Sequence, residues 1–188
     1  MIQVKSTLFI LTIFGLTDFA FAQNMWYELD SSQIEVHGTS TIHDWVMTAS
    51  GGEGHIIEQE NNELIDVNFV IAVSSLKSSR GNTMDTKAYN AFKSTQHPYI
   101  ELTVLNLKAI SKGTDTLKCS LKMAGVTKNF STECQIDTCS NTISARGGFP
   151  IKFADYNMTP PSAMFGQIVC GDVVNVNYYL LFRPKKEN

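Results

Sequence analysis

Between Leu117 and Ile136 the residues alternate as the two faces of a hairpin must. Leu117, Cys119, Leu121 and Met123 are interleaved with Lys118, Ser120 and Lys122. After a turn at Ala124–Lys128, Phe130, Thr132, Cys134 and Ile136 are interleaved with Ser131, Glu133 and Gln135. Successive side chains on a strand point to opposite faces, so this stretch reads as an antiparallel pair with one apolar and one wet face. The same period recurs along most of the chain. Trp26–Asp30 and Gln33–Val36 read as a first strand interrupted at Ser31-Ser32. A second runs through Met47 and Ala49 to Ile57, and Gly51, Gly52 and Gly54 within it predict a bulge or sharp bend. Leu64–Val73, Tyr99–Leu107, Ile143–Phe153 and Val173–Phe182 complete the set, with a turn at Lys112–Asp115. Eight antiparallel strands joined by short turns fit an up-and-down barrel or a sandwich, and composition does not choose between them.

One stretch breaks the pattern. From Met84 the apolar residues Met84, Ala88, Ala91 and Phe92 fall at helical intervals, with Asp85, Lys87 and Lys93 between them. Thr83 is placed to cap the first turn, and Asp85 suits the positive end of a helix. Pro98 forbids further helix and pushes His97 into an extended conformation. The spacing predicts a single short helix over about residues 84–94, followed by renewed alternation at Ile100, Leu102 and Val104.

Residues 1–22 have the form of a signal peptide: Lys5, an apolar core from Leu8 to Leu16, and the small-x-small sequence Ala20-Phe21-Ala22. That core is shorter than the roughly 20 residues a transmembrane helix needs. Cleavage is expected between Ala22 and Gln23, leaving residues 23–188 as a single exported domain with no transmembrane segment. No cysteine follows the cleavage site, which argues against a lipoprotein anchor. The net charge is −3 and the longest basic run is Lys185-Lys186, so nucleic-acid binding is not expected.

Several segments, in the right order, are similar to the YceI-like family of exported bacterial proteins. They are Trp26-x-x-x-Asp30; Gly38-Thr39-Ser40-Thr41-Ile42-His43-Asp44-Trp45; an apolar strand, Ser75-Leu76, a short helix and His97-Pro98-Tyr99-Ile100; Ala124–Lys128; Asp155-Tyr156 through Pro160-Pro161-Ser162; and Gly171–Val176. Where the family carries an arginine–aspartate pair at the helix start, this chain has Met84-Asp85. The resemblance implies an all-β fold: an eight-stranded antiparallel lipocalin-like β-barrel with one short helix. It also implies a periplasmic or secreted protein that binds a polyisoprenoid or another amphiphilic lipid, as carrier or for sequestration, without turnover. No other cofactor is implied, and a homodimer is left open.

Given a barrel, the walls of a ligand site come from the inward positions: Phe69, Ile71, Leu102, Val104, Leu121, Met123 and Phe149. The last strand is apolar on both faces, so Tyr178 and Tyr179 compete for the inward position. Met158, Met164 and Phe165, beside Pro160-Pro161, have no strand pattern and suit an adaptable lid over a lipid chain. His43 is expected at the barrel mouth as a headgroup contact. A different class of reading makes the chain a small-molecule enzyme with His43, and Asp155 or Tyr156, as acid and base; a third makes it a filled barrel acting through its surface. His43 and Asp44 are neighbours on one strand and cannot pair unless they lie in a turn, and no G-x-S-x-G elbow accompanies them. His37, His43, His55 and His97 show no metal-ligand spacing, so no metal is expected. Among the four cysteines, Cys119 and Cys134 sit on matched faces of the predicted hairpin. One disulfide, Cys119–Cys134, is therefore expected in an exported protein, with four buried free thiols as the alternative. N-terminal sequencing of the exported protein should begin at Gln23; Met1 retained in a membrane fraction would refute the signal peptide.

Overall fold

The computed structural model describes residues 24–59, 63–109 and 111–186. The predicted signal peptide lies outside them. The strands are β1 (Met25–Ser40), β2 (Trp45–Ser50), β3 (Glu53–Glu58), β4 (Leu64–Ala72), β5 (Lys77–Ser78), β6 (Tyr99–Val104), β7 (Gly113–Met123), β8 (Val126–Cys139), β9 (Thr142–Lys152), β10 (Ser162–Ala163) and β11 (Ile168–Pro184). A single α-helix among these residues, α1, spans Asn82–Ala91.

Sequence neighbours pair throughout, and β11 returns to β1, so the sheet closes on itself. The ring has eight staves: β1, then β2 and β3 together, then β4, β6, β7, β8, β9 and β11. The predicted eight-stranded barrel is the fold. β2 and β3 are two halves of one stave: β2 pairs with the Gln33–Gly38 half of β1, and β3 with Met25–Glu28. Gly51 (φ 84°) and Gly52 (φ 104°) make the bend between them, in a backbone region where other residues are strained. The expected interruption of the first strand is a bulge. Leu29 faces Phe182 and Ser31 faces Leu181, leaving Asp30 unmatched, and the strand continues. β7 begins at Gly113, earlier than expected, because Gly113–Asp115 pair with β8 as strand where a turn was predicted.

The helix starts two residues before its predicted first residue and ends at Ala91. Its N-cap is Gly81 (φ 87°), with no side-chain cap, so Thr83 lies within the first turn instead. Asp85 is buried and holds the helix down. Its Oδ1 accepts from the backbone N–H of Ser78 at 2.7 Å, and its Oδ2 lies 3.8 Å from Lys77 Nζ. Tyr89 Oη donates to the carbonyls of Ser74 and Leu76, each at 2.9 Å. Strand polarity puts α1, the 41–44 turn, the Ala124-Gly125 turn and residues 153–167 at one end of the barrel. At the other end β3, β6 and β8 finish and β4, β7 and β9 begin, with Leu105 and the Ser140-Asn141 turn beside them.

At the helix-covered end Gly38 and Trp45 face each other across β1 and β2. The indole folds over Gly38, and its Nε1–H donates to Thr39 O at 2.9 Å. A Cβ at residue 38 would overlap the indole carbons. Gly38→Ala should therefore cost about 1–3 kcal/mol through overpacking, read as a lowered urea midpoint at unchanged slope; a wild-type midpoint would show that Trp45 is free to swing away.

Candidate functional site

Inside the barrel is a cavity of about 200 Å³ that side chains do not fill. Its lining runs from Ile100, Met123 and Ile151 near the helix end to Leu64, Leu117 and Ile143 at the other. It reaches this length because alternate residues of every stave point inward. All seven predicted wall residues, Phe69, Ile71, Leu102, Val104, Leu121, Met123 and Phe149, line it, as does Met158. On β11 the ambiguity resolves: Val174, Val176, Tyr178, Leu180 and Phe182 face inward, while Tyr179 is exposed. Ala88, Ala91 and Phe92 bring α1 over the helix-covered end, and Leu76, Trp45 and Pro161 join them there. Sequence reasoning missed Trp45 and the helix face; the helical spacing of Ala88, Ala91 and Phe92 carried the signal for the latter.

Three of the few polar side chains on these walls, Thr132, Cys134 and Tyr178, are neighbours on β8 and β11. Cys134, Gly147 and Tyr178 are successive partners across β8, β9 and β11. Because Gly147 has no side chain, the Tyr178 phenol reaches across it, its Oη 2.7 Å from where a Cβ would stand. That brings the phenol toward the thiol of Cys134, the partner of Gly147 on the other side. Thr132 Oγ1 donates to Gly148 O at 3.1 Å. The Phe149 ring stands 4.6 Å from Phe130 and 6.1 Å from Tyr178, both tilted, completing an aromatic wall. Burial raises the pKa of each ionisable group here. It pushes the Cys119 thiol up to about 11, with the Cys134 thiol adding to the effect. It raises Cys134, partly offset by the neighbouring Tyr178 hydroxyl, and it raises Tyr178. All three are neutral at neutral pH.

Other expected site residues lie elsewhere. Met164 and Phe165 point into solvent and do not line the cavity, so only Met158 of the predicted lid faces inward. His43 sits in the turn between β1 and β2, where its carbonyl accepts from Ser40 N–H at 3.0 Å and Ser40 Oγ–H at 2.7 Å. Its ring is not among the cavity-lining groups, and its Nδ1 is buried without a hydrogen-bond partner. Asp155 is exposed, and burial pushes Tyr156 up to about 12, with Asp155 adding to the effect. No group of three or more His, Cys, Asp or Glu among the described residues is arranged to hold a metal ion.

The expected disulfide is also corrected. Cys119 and Cys134 both face inward, but Cys119 is matched to Phe130, while Cys134 is matched to Asp115. That four-residue offset separates the two by roughly 13 Å along the strands, and a disulfide needs Cα atoms within about 7 Å. Both are free thiols, as are Cys139 and Cys170.

A closed antiparallel ring around an apolar cavity, with one helix across an end, defines a lipocalin-like barrel. The profile of the YceI-like domain matches residues 27–182, and the chain belongs to that family. Solved structures agree on the fold. A polyisoprenoid-binding domain from Saccharophagus degradans, implicated in plant cell wall breakdown, superposes with a TM-score of 0.67 at 16% identity, covering 85% of this chain and 98% of that one. BcnA of Burkholderia cenocepacia gives 0.63 at 12%, covering 80% and 95%. The YceI protein of Campylobacter jejuni gives 0.58 at 18%, covering 73% and 82%. A search of curated proteins found no match. No helix among the described residues is long and apolar enough to cross a membrane.

The interior thiols and phenol set a pH dependence. An unfolded chain releases the Cys119 proton near the ordinary 9.0, whereas the folded protein holds it to about 11. Above pH 9 the folded state thus binds more protons, and stability must fall as pH rises. The urea midpoint should be level just below pH 9 and drop between 9 and 11, with a shallower drop in Cys119→Ala. A drop of equal slope in that variant would mean Cys119 is not held protonated by burial.

Proposed function

We propose that this protein binds a long-chain amphiphile, an isoprenoid or a lipid of similar length, with its chain inside the barrel, as an exported carrier or sequestering protein without turnover. The observation that carries the reading is the cavity: it runs the length of the barrel, its walls come from every stave, and side chains leave it unfilled. Such walls reward an apolar chain with about 0.8 kcal/mol for each methylene removed from water. The polyisoprenoid-binding relative in the same fold supports this choice of ligand. Absence of turnover is supported by the chemistry facing the cavity. Its ionisable groups are two thiols and a phenol held protonated by burial, with no imidazole or carboxylate among the lining side chains. Export rests on the signal-peptide pattern of residues 1–22.

Native mass spectrometry of protein purified without detergent should show an adduct that organic solvent removes. Leu121 is 3% exposed on the cavity wall. Leu121→Glu sets an unpaired carboxylate against the chain and should lower occupancy roughly tenfold or more. Circular dichroism must first show that the variant is folded. His43→Ala should keep the adduct, because the ring lies outside the cavity lining. Wild-type occupancy in folded Leu121→Glu would place the ligand outside the barrel, and loss of a measurable turnover in His43→Ala would establish an enzyme instead.

A further inference from the structure

At the helix-covered end two adjoining loops present large apolar side chains to solvent. Ile42 is 61% exposed, Met164 64% and Phe165 fully exposed. Hydrogen bonds join the loops into one unit. Thr41 N–H donates to Val169 O at 3.0 Å, Thr41 Oγ1–H to Gln167 O at 3.4 Å, and Val169 N–H to Thr41 Oγ1 at 3.4 Å. Met164 (φ 48°) and Phe165 (φ 56°) both occupy the left-handed region, followed by Gly166 (φ 89°). Bulky residues rarely adopt that conformation, and a strained tip that displays a phenylalanine calls for a function. From Asn157 to Gly171 the chain has no Asp, Glu, Lys or Arg, and Val36 to His43 has none either. At the other end the exposed Trp26 is instead covered in part by charge, under Lys185 Nζ at 5.2 Å and beside the His55 ring at 5.2 Å.

We infer that this tip inserts Ile42, Met164 and Phe165 into the surface of a lipid bilayer. An exposed apolar tip whose own two loop segments carry no Asp, Glu, Lys or Arg suits the interfacial region, where each buried charge would be costly. It does not suit a second copy of the chain. Three side chains cover a few hundred Å² at most, well short of the roughly 800 Å² per partner in a standard interface. The purpose of docking rests on the lipid-binding reading. Phe153, Met158 and Pro161 line the cavity from the same segment whose tip carries Met164 and Phe165, so bilayer contact falls on the loop that covers the ligand. The Lys87 ammonium, donating to Ser162 O from α1, joins that loop to the helix.

The test is flotation of the purified protein, as the cell processes it, with uncharged phosphatidylcholine vesicles. Wild-type protein should float, and added salt should not release it, because no cationic patch drives the contact. Met164→Ser/Phe165→Ser should bind about tenfold less, while Leu105→Ser, at the other end, should bind as wild type. In a Phe165→Trp variant, brominated lipid should quench the new fluorescence. Native mass spectrometry on the same samples separates the two ideas. A wild type that carries lipid yet fails to float overturns docking alone, and floating protein with no adduct supports docking while the lipid reading fails. Equal flotation of the double-serine variant overturns the inference. So does a concentration-dependent dimer that the variant abolishes, since the tip would then meet a second copy.

Discussion

The pairing of β1 with β11 is the interaction on which the molecule depends. It joins residues near Tyr27 to residues near Pro184, close to the ends of the described chain, and runs on to Ser40 opposite Cys170. Without it the sheet would have two long edges, each a row of unpaired N–H and C=O groups. With it the backbone is satisfied around the ring. Support then comes from the wall as well as from the interior, so side chains need not fill the middle completely. A sandwich with the same strands would press its two apolar faces together at about 10 Å and leave no such space.

Closure imposes curvature, and the chain meets it with small residues. Gly51 and Gly52 turn one stave through the bend that separates β2 from β3. Gly38 gives room to the Trp45 indole, and Gly147 lets the Tyr178 phenol cross β9 to Cys134. In each case a missing side chain on one stave admits a large one from its neighbour. That is how an eight-stranded ring keeps aromatic groups inside without losing its cavity.

What could be read from the sequence follows from the same geometry. Strand alternation has a period of two whatever the tertiary structure, so the seven wall residues were legible once a barrel was supposed. Helical spacing likewise disclosed α1, although its start was not, since Gly81 caps through backbone conformation where Thr83 offered a side chain. The disulfide was misjudged because alternation reports the face of a strand and not its register; Cys119 and Cys134 share a face, four residues out of step. The lid was half legible. Met158, Met164 and Phe165 are chemically alike, yet in a loop with no period only the backbone path decides that Met158 turns in and the others out. Tyr178 and Tyr179 were undecidable in β11 because both of its faces carry apolar residues, and the outward set includes Val173 and Tyr179.

The cavity also bears on stability. Space that apolar side chains leave dry costs about 24 cal/mol per Å³, so some 200 Å³ amounts to roughly 5 kcal/mol. Small domains are typically stable by only about 5–15 kcal/mol in all. The unfilled space of such a barrel therefore costs an amount comparable with the whole net stability of a small domain, though small beside the gross contribution of a core. In the proposed reading the ligand chain restores those contacts, and binding and folding stability become linked. The polar side chains of Tyr178, Cys134 and Thr132 then constrain the ligand. A saturated or prenyl chain passes these groups without presenting a charge or a polar atom to them, and burial holds the thiol and the phenol neutral. A polar group carried to that depth would leave water for a wall that is almost wholly apolar, which is costly unless it is hydrogen-bonded there. The arrangement thus favours a ligand whose polar end stays outside the barrel and whose apolar chain alone occupies the interior.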